Sequence, residues 1–151
     1  DIVGEWWTLL VIREVFFGRR NFTQMHETLG VARNILADRL TTLVDTGVLE
    51  KRPDPIDRRR TEYHLTPKGA DLLPLLVMLM QWGDRWADDG SGPPLLLADR
   101  ASGEVIDPAF IDARTGGPID VSQLRPRPGP GFRAESWPPL RSSHEAGPNS
   151  R

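Results

Sequence analysis

The chain of 151 residues is long enough for one domain of ordinary size and an extension, and its apolar content of 38% suffices for a small helical core. A formal charge of −2 gives no overall indication of nucleic-acid binding, and the absence of cysteine excludes disulfides, thiolate chemistry and cysteine-ligated metal. Because no run of 18 apolar residues occurs and no signal peptide is visible, we expect no membrane partner and a cytoplasmic location.

The sequence begins inside a strongly apolar pattern that predicts a first helix over residues 1–17. Its apolar residues surround almost the whole helix: Ile2, Val3, Trp6, Trp7, Leu9, Leu10, Val11, Ile12, Val15, Phe16 and Phe17. A helix that is apolar on all sides must be buried on all sides. We therefore expect one side, including Ile2, Val3 and Trp6, to meet a second subunit. The alternative is that the C-terminal helix of the same chain covers it. The opening at Asp1, without a methionine, suggests that an N-terminal segment is missing.

A short second helix is predicted to begin after a basic turn at residues 18–20, which either touches phosphate or is a plain helix stop. One face carries Phe22, Met25 and Leu29, which recur with helical spacing. Asn21 is a suitable N-cap, and Gln24 three residues later can close a capping box. Gly30 suits the left-handed position at the helix end, so that only residues 30–31 separate this helix from the next.

The third helix is expected to run to Gly47 with two distinct faces. Its apolar face is formed by Leu36, Leu40, Leu43 and Val44. Its opposite face is small and polar, with Asn34, Ala37, Asp38, Thr41 and Asp45. The leucines are interpreted as core, whereas the polar face has the size and chemistry to meet base edges in a DNA major groove. The residues expected nearest to the bases are Arg33, Asn34, Asp38 and Thr41.

Two short strand-like segments follow at residues 48–52 and 61–65, with a turn-rich basic tip between them. Residues 51–60 contain five basic side chains against two acidic ones: Lys51, Arg52, Arg58, Arg59 and Arg60 against Asp54 and Asp57. An arbitrary run of charge is usually a solvated loop. This run directly follows two helices joined by a tight turn, which favours a wing whose arginines enter the minor groove or pair with phosphate. We assign Arg58, Arg59 and Arg60 to that contact.

Helix, tight turn, longer helix and charged hairpin together predict a winged helix-turn-helix, a module that reads double-stranded DNA. Thr23 and Gln24, at the start of the supporting helix, and Arg39 are expected to contact phosphate. The rival interpretation is a winged-helix protein-interaction module that no longer binds DNA. The net negative charge and the carboxylate of Asp38 on the reading face support this alternative.

The last helix is predicted to begin at Thr66, which suits an N-cap, with Pro67 at the first helical position. Pro74 lies inside it and should kink or divide it. Its apolar arc is too wide for one intramolecular contact, so we expect part of it to form a homodimer interface. The candidate interface residues are Leu75, Met78, Leu79, Trp82 and Trp86. The same stripe could instead line a ligand pocket.

A run of turn-forming residues at 88–94 predicts a domain boundary. Ten of the 14 prolines lie after position 92, so the composition changes there. Short strand-like runs at 95–97, 104–106, 109–111 and 119–121 predict a small antiparallel β-meander. We therefore expect a winged helix-turn-helix over residues 1–90, a β extension over 91–131 and a disordered tail over 132–151. The fold class is mainly α with a small β-wing, plus this short antiparallel extension.

Five motifs recur in a characteristic order and spacing over about residues 1–90. They are Gly4-x-x-Trp7-Thr8-Leu9-Leu10-x-x-Arg13-Glu14, Gly18-x-x-Asn21-Phe22, Ile35-Leu36-x-x-Arg39-Leu40-x-x-Leu43-x-x-x-Gly47, Glu62-Tyr63-x-Leu65-Thr66-x-x-Gly69 and Trp82-Gly83. Each is weak alone, but the ordered set resembles the HxlR-type transcriptional regulators, a winged-helix family related to the MarR regulators. The wing, Asp54-Pro55-x-Asp57-Arg58-Arg59, looks more like a MarR wing than the usual HxlR one.

The resemblance implies a DNA-binding regulator whose last helix pairs with that of a second copy, with room for an unidentified small-molecule effector. Many HxlR-type proteins also carry a C-terminal zinc knuckle that ends in Pro-Gly-Pro-Gly. Residues 128–131 have that ending here, but the ligand positions correspond to Asp99, Ser102, Asp112 and Thr115. Structural zinc of this kind needs nitrogen or thiolate ligands, so we expect a degenerate knuckle with no metal and no cofactor.

No catalytic constellation is found in the sequence. The three histidines are far apart, no glycine-rich phosphate loop follows a predicted strand, and no Gly-x-Ser-x-Gly occurs. We therefore expect that the protein is not an enzyme.

Overall fold

Three helices, a two-stranded hairpin and a divided last helix follow one another in the computed structural model, which describes residues 6–133. The elements are α1 (Trp6–Phe16), α2 (Phe22–Leu29), α3 (Arg33–Asp45), β1 (Leu49–Pro53), β2 (Thr61–Leu65), α4 (Pro67–Ala70) and α5 (Leu73–Trp86). The strands are antiparallel, with Leu49 opposite Leu65 and Pro53 opposite Thr61. The predicted mainly α winged helix-turn-helix fold is confirmed.

Several element boundaries differ from the prediction. Within the described residues α1 begins at Trp6, so Ile2 and Val3 lie outside them. The turn between α2 and α3 has three residues rather than two, because α3 begins at Arg33 with Ala32 as its N-cap. Pro74 divides the last helix as predicted, since α4 ends four residues before it and α5 takes it into its first turn.

The core lies between the three N-terminal helices, the wing and α5. It consists of Val11, Ile12, Val15, Met25, Val31, Leu36, Leu40, Leu43, Val48, Leu49 and Leu76. The predicted leucine stripe of α3 is confirmed, because its three leucines are at most 1% exposed. α1 is buried on one arc only. It contacts α2, α3, α5 and β2, yet Trp6 remains 88% exposed.

The predicted caps of α2 are confirmed. The Asn21 side chain accepts a hydrogen bond from the Gln24 N–H at 3.0 Å, and the Gln24 side chain accepts one from the Asn21 N–H at 3.3 Å. Gly30 is left-handed with φ of 62°, and its N–H donates to the His26 carbonyl at 3.0 Å. These bonds use backbone groups that a helix end would otherwise leave unpaired, so α2 stops where the tight turn begins.

Hydrogen bonds converge on residues 46–48, where α3 ends and the wing begins. The Thr66 hydroxyl donates to the Gly47 carbonyl at 2.6 Å, and the Thr66 N–H donates to the Val48 carbonyl at 3.1 Å. The Lys68 ammonium donates to the Thr46 carbonyl at 2.7 Å. Thr66 and Lys68, at the start of α4, therefore bind the carbonyl groups of residues 46–48 and fix the base of the wing.

The buried Gly69 permits this close approach. A Cβ at position 69 would lie 2.2 Å from the Val48 carbonyl oxygen and 3.0 Å from the Leu65 side chain. No side chain fits at such a distance without a backbone shift. The glycine in the Thr66-x-x-Gly69 motif is thus required by packing rather than by a positive φ.

Backbone contacts divide the chain into two units, residues 1–108 and 109–151. In the first unit residues 93–108 lie beside α5, where the Gln81 side-chain amide donates to the Pro108 carbonyl at 2.8 Å. The predicted boundary at 90/91 marks the end of the winged-helix elements and stays a prediction as a functional boundary.

The antiparallel pairing expected in the extension is limited to two isolated bridges in the described residues, which do not extend into a sheet. Within residues 91–133 each unit has a single isolated antiparallel bridge, Ala98 with Val105 in the first and Ile111 with Pro118 in the second. Each bridge closes one hairpin. The first hairpin contains no proline, whereas Pro118 is a bridge residue of the second and supplies no N–H to a ladder.

The four positions that correspond to metal ligands in the resemblance close two tight turns. In the first turn the Asp99 carboxylate accepts hydrogen bonds from the Ser102 N–H at 2.8 Å and the Ser102 hydroxyl at 3.0 Å. The Ser102 N–H and hydroxyl hold the pKa of Asp99 below its ordinary value. In the second turn the Asp112 carboxylate accepts from the Arg114 N–H at 2.8 Å, and its carbonyl accepts from the Thr115 N–H at 3.1 Å. Hydrogen bonds thus close both turns locally.

The close approach at Gly69 predicts a loss of stability on adding a methyl group. Gly69→Ala should lower the free energy of unfolding by roughly 1–3 kcal/mol, as overpacking does, measured by urea denaturation. The matched control is Gly83→Ala in α5, where a Cβ would meet no described atom within 4 Å. That control should raise stability by about 0.5–1 kcal/mol through helix propensity. Equal effects of the two substitutions would contradict the packing argument.

The hydrogen-bonded turns predict that the fold does not depend on a metal. Protein purified without added metal should contain far less than one zinc per chain by inductively coupled plasma mass spectrometry, because oxygen ligands alone suit structural zinc poorly. Its thermal unfolding midpoint should not change on addition of a chelator. Stoichiometric zinc would show that the Asp99 and Asp112 turns belong to a working knuckle.

Candidate nucleic-acid interface

The N-terminal half of α3 presents its polar face to solvent. Arg33, Asn34, Ala37 and Asp38 are all exposed, and so is Thr41 one turn later. The Thr41 hydroxyl donates to the Ala37 carbonyl at 2.9 Å, which leaves its oxygen free to accept a hydrogen bond from a ligand. Asn34 makes no side-chain hydrogen bond within residues 6–133. The Asn34 amide and the Thr41 hydroxyl oxygen are therefore available for contact with bases, and the role of this face in binding stays a prediction.

An aromatic contact holds Arg33 against the supporting helix. The Arg33 guanidinium lies 5.0 Å from the centre of the Phe22 ring, and that ring stacks on His26 at 6.2 Å. A cation over an aromatic face at this distance is attracted by the ring quadrupole. The contact couples the start of α3 to the start of α2, and no periodic pattern in the sequence indicated it.

Asp38 does not present an isolated negative charge. Its carboxylate accepts a hydrogen bond from the Arg39 guanidinium at 2.5 Å. The Asp38 side chain is 63% exposed, whereas that of Arg39 is only 18% exposed. The pair offsets much of the repulsion that Asp38 would exert on phosphate, and most of Arg39 faces its own fold. Phosphate contact by Arg39 remains a prediction.

A cleft of about 530 Å³ joins the start of α2 to Arg60 and β2 of the wing. It is lined by Asn21, Phe22, Thr23, Gln24, Arg60, Thr61 and Tyr63. Thr23 and Gln24 are exposed at its rim, and the positive end of the α2 dipole favours an anion there. The side-chain oxygen of Gln24 accepts hydrogen bonds from the Arg20 and Asn21 N–H groups. The side-chain NH₂ group of Gln24 can therefore donate to a phosphate.

Two carboxylates build the tip of the wing. Asp54 accepts hydrogen bonds from the N–H groups of Ile56 at 2.7 Å and Asp57 at 3.1 Å. These two bonds hold the pKa of Asp54 below its ordinary value. The Asp54 N–H donates to the Arg60 carbonyl at 3.0 Å, and the Arg60 N–H donates to the Asp57 carbonyl at 2.8 Å. The tip is therefore a defined turn that holds its arginines in place.

The three wing arginines differ in their partners. Arg59 is 91% exposed and donates to the Asp57 carboxylate at 3.1 Å, while Arg60 lies 3.6 Å from the same carboxylate. The Arg59 side chain is the main cause that lowers the pKa of Asp57, which is ionised at neutral pH. Arg58 is exposed and has no ion pair or hydrogen bond from its side chain within residues 6–133. Arg58 therefore offers its full charge to a ligand.

A backbone bond that sequence patterns did not indicate anchors the wing to the turn after α1. The Tyr63 N–H donates to the Arg20 carbonyl at 2.7 Å, and the Arg20 N–H donates to the Gln24 side chain at 3.1 Å. On the other side of Tyr63, the Lys51 ammonium lies 6.0 Å from the ring centre. Burial raises the pKa of Tyr63, so its hydroxyl stays protonated. The basic turn at residues 18–20 thus has a structural role in positioning β2.

A buried ion cluster was also missed by the sequence reasoning. Glu14 is 1% exposed, and its carboxylate accepts from Arg13 at 2.8 Å and lies 3.1 Å from an Arg19 guanidinium nitrogen. Arg13 and Glu14 were recognised as part of a motif, but the second arginine comes from the following turn. Arg19 lies in the turn that ends α1, where its N–H also donates to the Glu14 carbonyl at 2.9 Å, and no periodic pattern indicated that its side chain would reach Glu14.

The predicted dimer residues of α5 form an exposed apolar stripe in the single chain. Leu75, Met78, Leu79, Trp82 and Trp86 are each more than two-fifths exposed, and Trp6 of α1 is more exposed still. Leu76 is the fully buried residue of α5 and packs into the core. The stripe and the core therefore use different faces of the same helix, and pairing through the stripe stays a prediction.

Comparisons with known proteins agree with this architecture. The family model described as HxlR-like helix-turn-helix matches residues 2–91. An uncharacterized HTH-type transcriptional regulator of Mycobacterium tuberculosis is 44% identical over 135 residues, which covers 89% of this chain and 85% of that protein. The HTH-type transcriptional regulator YodB of Bacillus subtilis is 27% identical over 91 residues, covering 60% of this chain and 81% of YodB.

The same similarity extends to solved structures. The crystal structure of PA1607, described as a candidate transcription factor, matches with a TM-score of 0.73 and 35% identity, over 84% of this chain and 89% of that one. A second candidate transcription factor, from Pseudomonas aeruginosa, matches with a TM-score of 0.58 and 31% identity, over 88% of this chain and 90% of that one. The family match covers more than half of the chain, and these relatives are regulators rather than enzymes. The chain therefore belongs to the HxlR-like helix-turn-helix family of transcriptional regulators.

Proposed function

We propose that the protein binds double-stranded DNA as a homodimer, with α3 in the major groove and the wing against the adjacent backbone and minor groove. The observation that carries the proposal is a set of contacts that connects α3, the start of α2 and the wing. Arg33 packs on Phe22, and Phe22 lines the same cleft as Arg60. The helix α3, the start of α2 and the tip end of β2 in the wing are therefore neighbours, as simultaneous contact with one duplex requires.

The interface has two kinds of contact, one to base edges and one to phosphates. Asn34 and Arg33 can make bidentate hydrogen bonds to adenine and guanine edges, respectively, and these distinguish sequences. Thr23, Gln24 and the wing arginines meet phosphate, which positions the protein without reading bases. The pair of Asp57 with Arg59 is exposed, and pairs of this kind are worth about 0–1 kcal/mol, so phosphate can replace the carboxylate at little cost.

The homodimer is supported by the apolar stripe of α5. Five large apolar side chains on one helix face form a contiguous patch larger than single exposed residues would give, and such patches mark interaction sites. A symmetric pair would use the same stripe on both copies. Two-fold symmetry in the protein then requires an inverted repeat in the operator, with half-sites about one helical turn or 34–36 Å apart.

The rival is a protein-interaction module of the same fold without DNA binding. Its support is the net charge of −2. Fluorescence anisotropy with random duplex DNA at low salt distinguishes the two. The DNA-binding proposal expects salt-dependent binding that weakens steeply as salt rises, whereas absence of binding at micromolar protein would favour the interaction module.

Substitutions should separate the positioning contacts from the reading contacts. Arg58→Ala or Arg59→Ala should weaken binding to every duplex and reduce the salt slope by about one, because each removes one phosphate contact. The matched control is Arg114→Ala. Arg114 has the same local geometry as Arg59, with an aspartate two residues earlier at 3.2 Å, but lies in the extension. A loss of affinity in this control equal to that of Arg59→Ala would contradict the wing assignment.

Asn34→Ala should act differently from the wing variants. It should cost roughly 1–3 kcal/mol on the specific operator and little on random DNA, because it removes a base-edge contact and no charge. The operator is first selected from a random duplex pool, and affinities for it and for scrambled DNA are then compared. An equal loss on both would show that Asn34 does not read bases.

Dimer formation predicts a concentration-dependent phenotype for the stripe. Trp82→Ala should shift the monomer–dimer equilibrium toward monomer in sedimentation velocity, and DNA binding should recover in part at higher protein concentration. Val121→Ala, which removes an exposed apolar side chain from the extension, is the control and should change neither. A protein that is monomeric at micromolar concentration and binds DNA at full strength would overturn the dimer mechanism.

A further inference from the structure

A cleft at the end of α1 is separate from every residue assigned above to DNA or to the dimer. It has a volume of about 590 Å³ and is lined on one side by Arg13, Phe17 and Arg19 and on the other by Met80, Gly83 and Leu95. Its volume falls within the range of small-molecule sites, roughly 300–1,000 Å³. The lining combines apolar side chains with two guanidinium groups, as sites for amphipathic ligands do.

The two arginines carry more positive charge than their internal partner neutralises. Behind them lies Glu14, whose carboxylate is 1% exposed and paired with both. One carboxylate between two guanidiniums leaves one positive charge, which Asp84 on the cleft wall opposes, so the preference for an anion rests on the N–H groups that Glu14 does not use. Nη1 of Arg13, and Nε and Nη2 of Arg19, make no hydrogen bond or ion pair within residues 6–133. Both side chains are more than a third exposed, so these N–H groups can donate to a ligand.

Gly83 provides an independent indication that the space beside α5 is open. It lies inside α5, where glycine costs about 0.5–1 kcal/mol relative to alanine. Its φ is not positive, and a Cβ there would meet no described atom within 4 Å. Neither backbone conformation nor packing within the described chain therefore accounts for a glycine. The missing side chain leaves the α5 wall of the cleft open.

We propose that this cleft binds a small organic monoanion with an apolar body. The anionic group receives hydrogen bonds from Arg13 and Arg19, which suit the planar geometry of a carboxylate. The apolar body lies on Phe17, Met80 and Leu95. Asp84 also lines the cleft, and its negative charge disfavours ligands with a second anionic group. The site does not depend on DNA binding, so it can be tested without an operator.

The test is isothermal titration calorimetry of the full 151-residue chain with matched probes. The anions are benzoate, 4-phenylbutyrate and decanoate, and each is compared with its neutral primary amide. At least one anion should bind about tenfold more tightly than its amide, because charge-assisted hydrogen bonds are stronger than neutral ones. Lack of any charge preference across the three pairs, or no binding at millimolar concentration, overturns the proposal.

Variants locate the binding. Gly83→Leu fills the cleft and should weaken the anion at least tenfold without lowering the thermal unfolding midpoint, because the added side chain enters open space. Asp84→Asn should strengthen the anion several-fold, and Arg19→Gln should weaken the anion but not the amide. Arg85→Gln, on the exposed next position of α5, is the charge control and should leave the affinity unchanged.

Two outcomes would contradict the assignment to this cleft. If Gly83→Leu leaves anion affinity unchanged, the anion binds elsewhere. If Gly83→Leu shifts the monomer–dimer equilibrium and the wild-type chain shows no charge preference, the open wall of α5 receives a second copy of the chain instead of a ligand.

Discussion

The relative placement of α3 and the wing depends on the close contact between Gly69 and the Val48 carbonyl. The absent Cβ allows α4 to lie against the Val48 carbonyl, and Thr66 and Lys68 then bind the carbonyls that follow α3. The end of α3, the start of β1, the end of β2 and the start of α4 all meet there. The angle between α3 and the wing is therefore set by residues that lie outside both predicted DNA-contact sets.

Sequence patterns predicted the local elements well and the long-range contacts poorly. Capping residues such as Asn21 and Thr66 act on their own helix ends, and the α3 leucines repeat with the helical period, so both are readable from a single stretch of chain. The Tyr63–Arg20 backbone bond joins β2 to the turn after α1, and the Glu14–Arg19 ion pair forms across the same turn. Hydrophobic periodicity indicates neither contact. In the extension, strand-like runs indicated residue types suited to strands, but these runs pair only locally as two hairpins with one bridge each.

The overall charge of −2 is a poor guide to this surface, because many carboxylates are already occupied. Asp38 pairs with Arg39, Asp57 pairs with Arg59, and Glu50 pairs with Arg52. Such exposed pairs contribute little free energy, so they hold side chains in place without preventing an exchange of partner. Asp54 is occupied by backbone N–H groups of the wing. The acidic residues near the wing thus arrange its basic side chains rather than cancel them.

The wide apolar arc of α5 is divided between two faces of the helix, one covered by the same chain and one exposed. Val77, Met80 and Gln81 face residues 93–108, which turn back along the helix and are tied to it by the Gln81 amide. A single chain therefore covers more of this helix than its first 90 residues could. The uncovered remainder is the stripe from Leu75 to Trp86, which follows the helical period on another face. Residues 93–108 occupy one side of α5 and the stripe lies on another, while Met80 and Gly83 line the cleft at the end of α1.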